Sequence, residues 1–174
     1  MRWPEKPTHL SYVKNIIKTR GMKGLLPYSD YEFVNRIIIE DGMSVLDVGC
    51  FDGRDLRQLW FQANDSAKDF NEARNKDNRH LWAKNPNSKF VGVDVLEVCI
   101  EHCLDKHNDT DIEFILADAN ALPFKDKEFD VVYCNGLFSD MEDPSMARKE
   151  VLRVGKKVYI CDLDKDNEFT YEIY

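Results

Sequence analysis

Apolar residues gather in short bursts, each closed by an acid, glycine or asparagine and separated by longer stretches of mixed polarity. MSVLDVGC (43–50), KFVGVDV (89–95), IEFILAD (112–118), FDVVYCN (129–135) and KVYICDLD (157–164) are rich in β-branched or aromatic residues and almost continuously apolar. That pattern suits parallel strands covered on both faces. Between them the spacing predicts helices. One follows the cap candidates Ser29 and Asp30 over YEFVNRIII and stops at Gly42, and a second runs over about 53–62. A third covers about 96–107 with Ile100 and Leu104 as its i, i+4 pair, and a fourth opens at Asp143-Pro144 and reaches about Val154. Strands alternating with helices imply crossover connections. The expected fold is therefore α/β, a Rossmann-like doubly wound, mostly parallel sheet of five strands. FTYEIY (169–174), after the turn-like DKDNE, is expected to fold back as an antiparallel edge strand beside 157–162.

The 174 residues fit one domain, with a net-basic helical segment over 1–28 and a polar, Asn-rich insertion over 63–88. Hydrophobic residues make up 43% and charged residues 32%, and no apolar run is long enough to span a bilayer. No signal-peptide pattern opens the chain. A soluble, cytoplasmic protein is the expectation. The five cysteines, Cys50, Cys99, Cys103, Cys134 and Cys161, show no CxxC pairing and read as small buried hydrophobes. Cys99, His102, Cys103 and His107 share one predicted helix without a second half-site, so no metal is expected. The net charge of −8 argues against bulk nucleic-acid binding, but it is uneven. Arg2, Lys6, Lys14, Lys18, Arg20 and Lys23 face a single acid, Glu5, in the first 24 residues, and 61–89 is weakly positive. Such asymmetry either steers an anionic partner or is a solvated face.

The candidate chemistry begins at VLDVGCFDGR (45–54), where a strand runs into a glycine-bearing turn and a helix then starts. Gly49 and Gly53 allow a tight turn and close approach of a ligand to the backbone. The spacing is G-x-x-x-G rather than the G-x-G-x-x-G that seats a pyrophosphate, and Asp47 two positions earlier would repel one, which argues against NAD. Asp94 closes the second strand and Asp118 the third. Three acids at the carboxyl ends of neighbouring strands line the crevice where open α/β sheets bind ligands, and an acid after the second strand suits ribose hydroxyls.

VLDVGCFDG (45–53), FVGVD (90–94), ADANALPFKDKEFDVVYCN (117–135) and MARKEVLRVGKKVYICD (146–162) together resemble the class I S-adenosylmethionine-dependent methyltransferases, in particular the small-molecule subgroup that includes ubiquinone and menaquinone methylases. The resemblance implies S-adenosylmethionine as cofactor and S-adenosylhomocysteine as product. It places Asp47, Gly49, Cys50, Phe51 and Gly53 around the methionine part, Asp94 on the ribose, and Val95 and Leu96 beside the adenine. Asp118 and Ala119 would meet the adenine edge, and Asn135 would lie between the methionine moiety and the methyl acceptor. Arg54 would either hold the cofactor carboxylate or lie on the helix surface. Phe51 stands where the family's loop has a glycine, and Gly155-Lys156-Lys157 stands for its Pro-Gly-Gly turn. Against the family's pattern a C-terminally shortened sheet is expected, with FTYEIY substituting for the antiparallel seventh strand.

Methyl transfer from a sulfonium is an in-line displacement that needs alignment more than acid–base chemistry. His9, Tyr133 and Asp140 are conceivable bases, none singled out by spacing, so the catalytic residues stay unassigned. Tyr28, Tyr31, Trp60 and Trp82 are either aromatic walls of an acceptor site or core residues. The expected acceptor is a small molecule, with RNA or another anion second. The alternative from a different class is a non-catalytic methyltransferase-like module that acts through a protein partner.

Overall fold

In the computed structural model, which describes residues 31–34, 37–64, 88–139, 141–163 and 169–174, six strands form one sheet. They are β1 (Ser44–Val48), β2 (Lys89–Asp94), β3 (Glu113–Leu116), β4 (Phe129–Asn135), β5 (Gly155–Leu163) and β6 (Phe169–Ile173). The helices are α1 (Tyr31–Val34), α2 (Arg54–Asn64), α3 (Glu97–Lys106) and α4 (Ser145–Val154). The strand order is β3-β2-β1-β4-β5-β6. The first five run parallel and β6 is antiparallel to β5, with Tyr159 opposite Ile173 and Leu163 opposite Phe169. The order reverses between β1 and β4, which makes that junction the switch point where a crevice opens. No helix among the described residues is long and apolar enough to cross a membrane.

Two apolar layers follow from strand alternation. Val45, Phe90, Val131, Tyr133, Tyr159 and Cys161 face one side and pack under Phe33 of α1 and Leu56, Leu59 and Trp60 of α2. Leu46, Val48, Val91, Val132, Val158 and Ile160 face the other and pack under Ala147, Val151 and Val154 of α4. Right-handed crossovers that step one way along the sheet to β3 and the other way to β5 must place their helices on opposite faces. Because side chains alternate, Asp47, Asp94 and Asn135 take the same face as Val45, Phe90 and Tyr133. That parity puts three polar strand-end residues under α2 and α3.

Four local expectations change. The helix expected over 31–39 is described only as Tyr31–Val34, and Ile37 to Glu40 carry no regular structure; Gly42 does take the left-handed conformation, φ 81°. On α3 the buried residues are Cys99, Ile100 and Cys103, whereas Leu104 is 53% exposed, so the helix is rotated from the expected Ile100–Leu104 stripe. Between α4 and β5 there is no separate turn. Gly155 is already extended and is the first residue of β5, and a Cβ on it would lie 2.7 Å from Val132 Cγ2. That glycine is present for close packing. At the start of α4 the cap falls on Pro144, one residue later than expected, with Ser145 as the first helical residue; the Asp143 carboxylate accepts from the Ser145 N–H at 2.9 Å.

Candidate functional site

The loop from Gly49 to Gly53 carries three residues in the left-handed region: Gly49 (φ 80°), Phe51 (φ 49°) and Gly53 (φ 71°). For Phe51 that conformation costs about 1–2 kcal/mol, so other contacts must hold it. The Asp94 carboxylate accepts from the Phe51 N–H at 3.0 Å and from the Leu96 N–H at 2.9 Å. The Cys103 thiol donates to the Phe51 carbonyl at 3.3 Å. The Phe51 side chain packs with Leu96, Cys99 and Val98. Beneath the loop, the Gly49 and Cys50 N–H groups both donate to the Val93 carbonyl at 2.9 Å, stitching β1 to β2.

The sides of this loop are charged. Asp52 is buried, which alone would raise its pKa, but Arg54 and Lys106 bind its carboxylate and hold it at about 2. The Arg54 guanidinium meets Asp52 through Nε at 2.8 Å and Nη2 at 2.5 Å, so the contact that defines it is inside the loop. Asp47 is fully buried. Burial pushes its carboxyl well above the usual range, and the neighbouring Asp55, Asp94 and Asp52 push it further. Asp94 is raised as well, by burial, against which the backbone N–H groups of Leu96, Phe51 and Val95 act.

Across the switch point, Asp55 in the first turn of α2 accepts from the Tyr133 hydroxyl at 3.1 Å and from Asn135 Nδ2 at 2.9 Å. Among the described residues the buried side-chain polar atom left without a hydrogen-bond partner is Asn135 Oδ1. Tyr133 is buried in the core, and burial together with Asp55 and Asp47 drives its phenol pKa far upward. It donates a hydrogen bond and does not serve as a base. Beyond β4, the Phe138 and Ser139 N–H groups donate to the Asp162 carboxylate at 2.7 and 3.0 Å. That anchors the segment in which Leu137 lies over Gly49, where a Cβ would come 3.0 Å from Leu137 Cδ1.

The structure thus places Asp47, Gly49, Phe51, Gly53, Asp94 and Asn135 at the carboxyl ends of β1, β2 and β4 and in the loop after β1. Cys50 turns inward against Ile100 and Cys103. Leu96 is buried beside Cys99, whereas Val95 is 53% exposed at the end of β2. Asp118 is exposed, its Oδ1 accepting from the backbone and side-chain amides of Asn120 at 2.8 and 3.0 Å, and Ala119 is buried in the layer under α4. Trp60 is a core residue whose indole N–H donates to Asp111. His9, Tyr28, Trp82, Asp140, the side chain of Tyr31, the basic segment over 1–28 and most of the 63–88 insertion lie outside the described residues. Among the described residues no three His, Cys, Asp or Glu side chains are grouped to hold a metal.

Sequence reasoning missed Asp55 and Asp162, and weighed His107 only as a metal ligand. Asp55 follows Gly53 by two positions and falls in the first turn of a helix, where an acid is expected for the macrodipole alone. Its contacts to Tyr133 and Asn135 span about 80 positions, which no local pattern carries.

The glycine loop after β1, an acid at the end of β2, and the β3-β2-β1-β4-β5 order with an antiparallel strand beyond it define the class I S-adenosylmethionine-dependent methyltransferase fold. Residues 39–173 match the family described as methyltransferase domain, and the chain belongs to that family. Among curated proteins it is similar to the fatty-acid O-methyltransferase of Mycolicibacterium smegmatis (strain ATCC 700084 / mc(2)155), 29% identical over 118 residues, which are 62% of this chain and 35% of that protein. Among solved structures it is similar to a chain of the complex between the Haloferax volcanii Trm112 methyltransferase activator and a methyltransferase. That match has TM-score 0.64 and 19% identity, covering 89% of this chain and 60% of that one. It is also similar to a SAM-dependent methyltransferase from Aquifex aeolicus, with TM-score 0.59 and 19% identity, covering 91% of this chain and 74% of that one. The chain spans about a third of the curated relative's length.

Proposed function

We propose that the chain is a methyltransferase that binds S-adenosylmethionine in the crevice above β1, β2 and β4 and delivers its methyl group to a small-molecule acceptor. The observation that carries this is the convergence of a buried, charge-suppressed Asp47 and an orphaned Asn135 Oδ1 on one face of the switch point. Both fit this cofactor. A carboxyl crowded by three other acids is suited to a cation, and a buried carbonyl oxygen without a donor is suited to an ammonium N–H. Asp94 accepts from the Leu96 and Phe51 N–H groups, with the Val95 N–H also acting on it, and its remaining acceptor capacity suits ribose hydroxyls. Val95 and Leu96 follow it as the adenine wall, and Asp118 with Ala119 as the adenine edge.

When bound, the cofactor supplies a methyl carbon on a positively charged sulfur, which a lone pair on the acceptor displaces in line while the sulfur keeps the bonding electrons. The chain's contribution is orientation. The left-handed loop presents backbone groups, Asp47 and Asn135 hold the cationic end, and the water-poor interior strengthens both. No residue is assigned as a base. A carboxylate acceptor, as in the name of the fatty-acid O-methyltransferase relative, needs none.

A second reading is a binding module that acts through a protein partner, favoured by the structural neighbour solved with the Trm112 activator. Calorimetric titration with S-adenosylmethionine and S-adenosylhomocysteine, with NAD as control, separates the two. Saturable 1:1 binding is expected, weakened at least about tenfold by Asp94→Ala, because a charge-assisted hydrogen bond contributes about 1.5–3 kcal/mol. Methyl transfer is then screened on fatty acids and other small molecules, with RNA as the competing class. Absence of binding by either sulfur ligand would favour the partner-dependent module.

A further inference from the structure

His107 is buried at the C-terminal cap of α3, yet the cofactor reading makes no use of it. Its Nε2–H lies 2.8 Å from the Asp52 carbonyl and donates to it. Its Nδ1 lies 3.3 Å from Arg57 Nη1, a group that only donates, so Nδ1 must accept. The two contacts together require the neutral ring with the proton on Nε2. The ring also fills the space beside Gly53, where a Cβ would come within 2.8 Å of both Cδ2 and Nε2. It stacks with Phe114 of β3 at 5.7 Å. One turn earlier on the same helix, Cys103 holds the preceding loop carbonyl, that of Phe51. One face of α3 therefore grips two consecutive carbonyls of the glycine loop.

We infer that His107 is a positioning residue that fixes the glycine loop through the Asp52 carbonyl in its neutral form only, so that cofactor affinity falls when the ring gains a proton. The inference rests on the reading of this loop as the S-adenosylmethionine site. The groups around the ring define what a proton would meet. Arg57, from α2, faces Nδ1 directly, and Lys106, from α3 itself, adds a second positive charge. On the negative side, the Asp52 carboxylate is committed to Arg54 and Lys106, and Asp109, beyond α3, is committed to Arg57 at 2.6 and 2.8 Å. Burial is the largest influence on the ring and lowers its pKa; the Asp52 carbonyl opposes this, and Arg57 and Lys106 reinforce it. A proton on Nδ1 converts the Arg57 contact from a hydrogen bond to a donor–donor clash. Asp109 holds the Arg57 guanidinium in place through two contacts, so the ring is the partner that turns, which releases the Asp52 carbonyl and the left-handed geometry at Gly53.

The test is titration with S-adenosylhomocysteine from pH 4.5 to 8 on the wild type, His107→Gln and His107→Ala, with amide NMR of residues 50–53 on the same proteins. A glutamine keeps an N–H donor and an acceptor at the end of the side chain without titrating. Because the folded ring titrates below the ordinary histidine value, wild-type affinity is expected to stay level through about pH 6.5 and to weaken only at lower pH, by up to about tenfold per pH unit, the limit for one linked proton. His107→Gln is expected to match the wild type at pH 8 and to lose that slope, and His107→Ala to bind about tenfold more weakly at pH 8. Identical pH profiles for wild type and His107→Gln would overturn the inference. If the wild type binds no S-adenosylhomocysteine at any pH, the functional reading fails. The loop amides then decide the rest: shifts that titrate in the wild type and not in His107→Gln keep the clamp, and shifts that do not titrate, or titrate alike in both, refute it.

Discussion

Asp47 is the residue at which stability and binding conflict most directly. Its carboxyl is raised by burial and by Asp55, Asp94 and Asp52. Between the ordinary value of 3.8 and the folded one, the native state keeps a proton that the unfolded chain has released. Stability therefore falls as pH rises through that window. Asp47→Asn removes the charge at similar shape. It is expected to raise the neutral-pH Tm, by roughly 2–4 °C for each kcal/mol recovered in a chain of this size. The same change is expected to weaken S-adenosylhomocysteine binding by about tenfold or more. Thermal melts without ligand, paired with titration, check both signs, and such a trade is typical of a binding site. Phe51 shows a related tension. A left-handed backbone at a non-glycine residue is kept by the Asp94 carboxylate on one side and the Cys103 thiol on the other.

At the scale of elements, the segment after β4 is held by β5 and not by its own composition. The Asp162 carboxylate, buried at the end of β5, accepts from the N–H groups of Phe138, Ser139 and Leu163 at 2.7, 3.0 and 2.8 Å. Asp162→Ala leaves these donors without their acceptor and is expected to destabilise the protein by about 2–4 kcal/mol, measured by urea unfolding. A retained midpoint would show that the segment has another anchor. The C-terminal edge is tied differently. Arg148 of α4 binds Glu172 of β6 in bidentate fashion at 3.0 and 2.8 Å and lies over the Phe138 ring at 4.7 Å. Both partners of that pair are about a third exposed, so its contribution is about 1 kcal/mol or less. The antiparallel ladder with β5 and the Phe33 ring, 5.0 Å from that of Tyr171, carry more of the attachment.

For the whole molecule the titrating groups point in two directions. Asp52 and Asp130 are each held at about 2 in the folded state. Burial opposes this at Asp52, where Arg54 and Lys106 prevail, and Lys156 with Ser44 achieves it at Asp130. Their stabilisation is present above the ordinary carboxylate value and lost as pH falls toward 2. Asp52, almost wholly enclosed, accounts for most of it, about 2 kcal/mol at the upper end, and the part-exposed Asp130 for less after solvent screening. Urea midpoints are expected to drop between pH 4 and 2, and Asp52→Asn to flatten that drop. An unchanged slope in the variant would remove the buried ion cluster from the account. His107 adds a milder loss beginning below about pH 6.5, since its folded pKa is lowered and the unfolded chain takes the proton first.

The positions of all six strands, the glycine loop and the acids at the strand ends were legible in the amino-acid order. A parallel strand buried on both faces is a nearly unbroken apolar run, and a tight turn beside a ligand demands glycine, so each leaves a local mark. Tertiary structure alone decided how those acids are held. Asp47 and Asp94 take the face of Asn135, and Asp118 is exposed with its Oδ1 bound by Asn120. It decided that α3 buries its cysteines and His107 in place of Leu104, and that Asp55, Asp162 and His107 hold groups 80, 24 and 55 positions away. Those contacts arise from crossover handedness and strand register, which bring distant segments together. A polar side chain that bonds across the sheet looks, in its own stretch of sequence, like any surface residue.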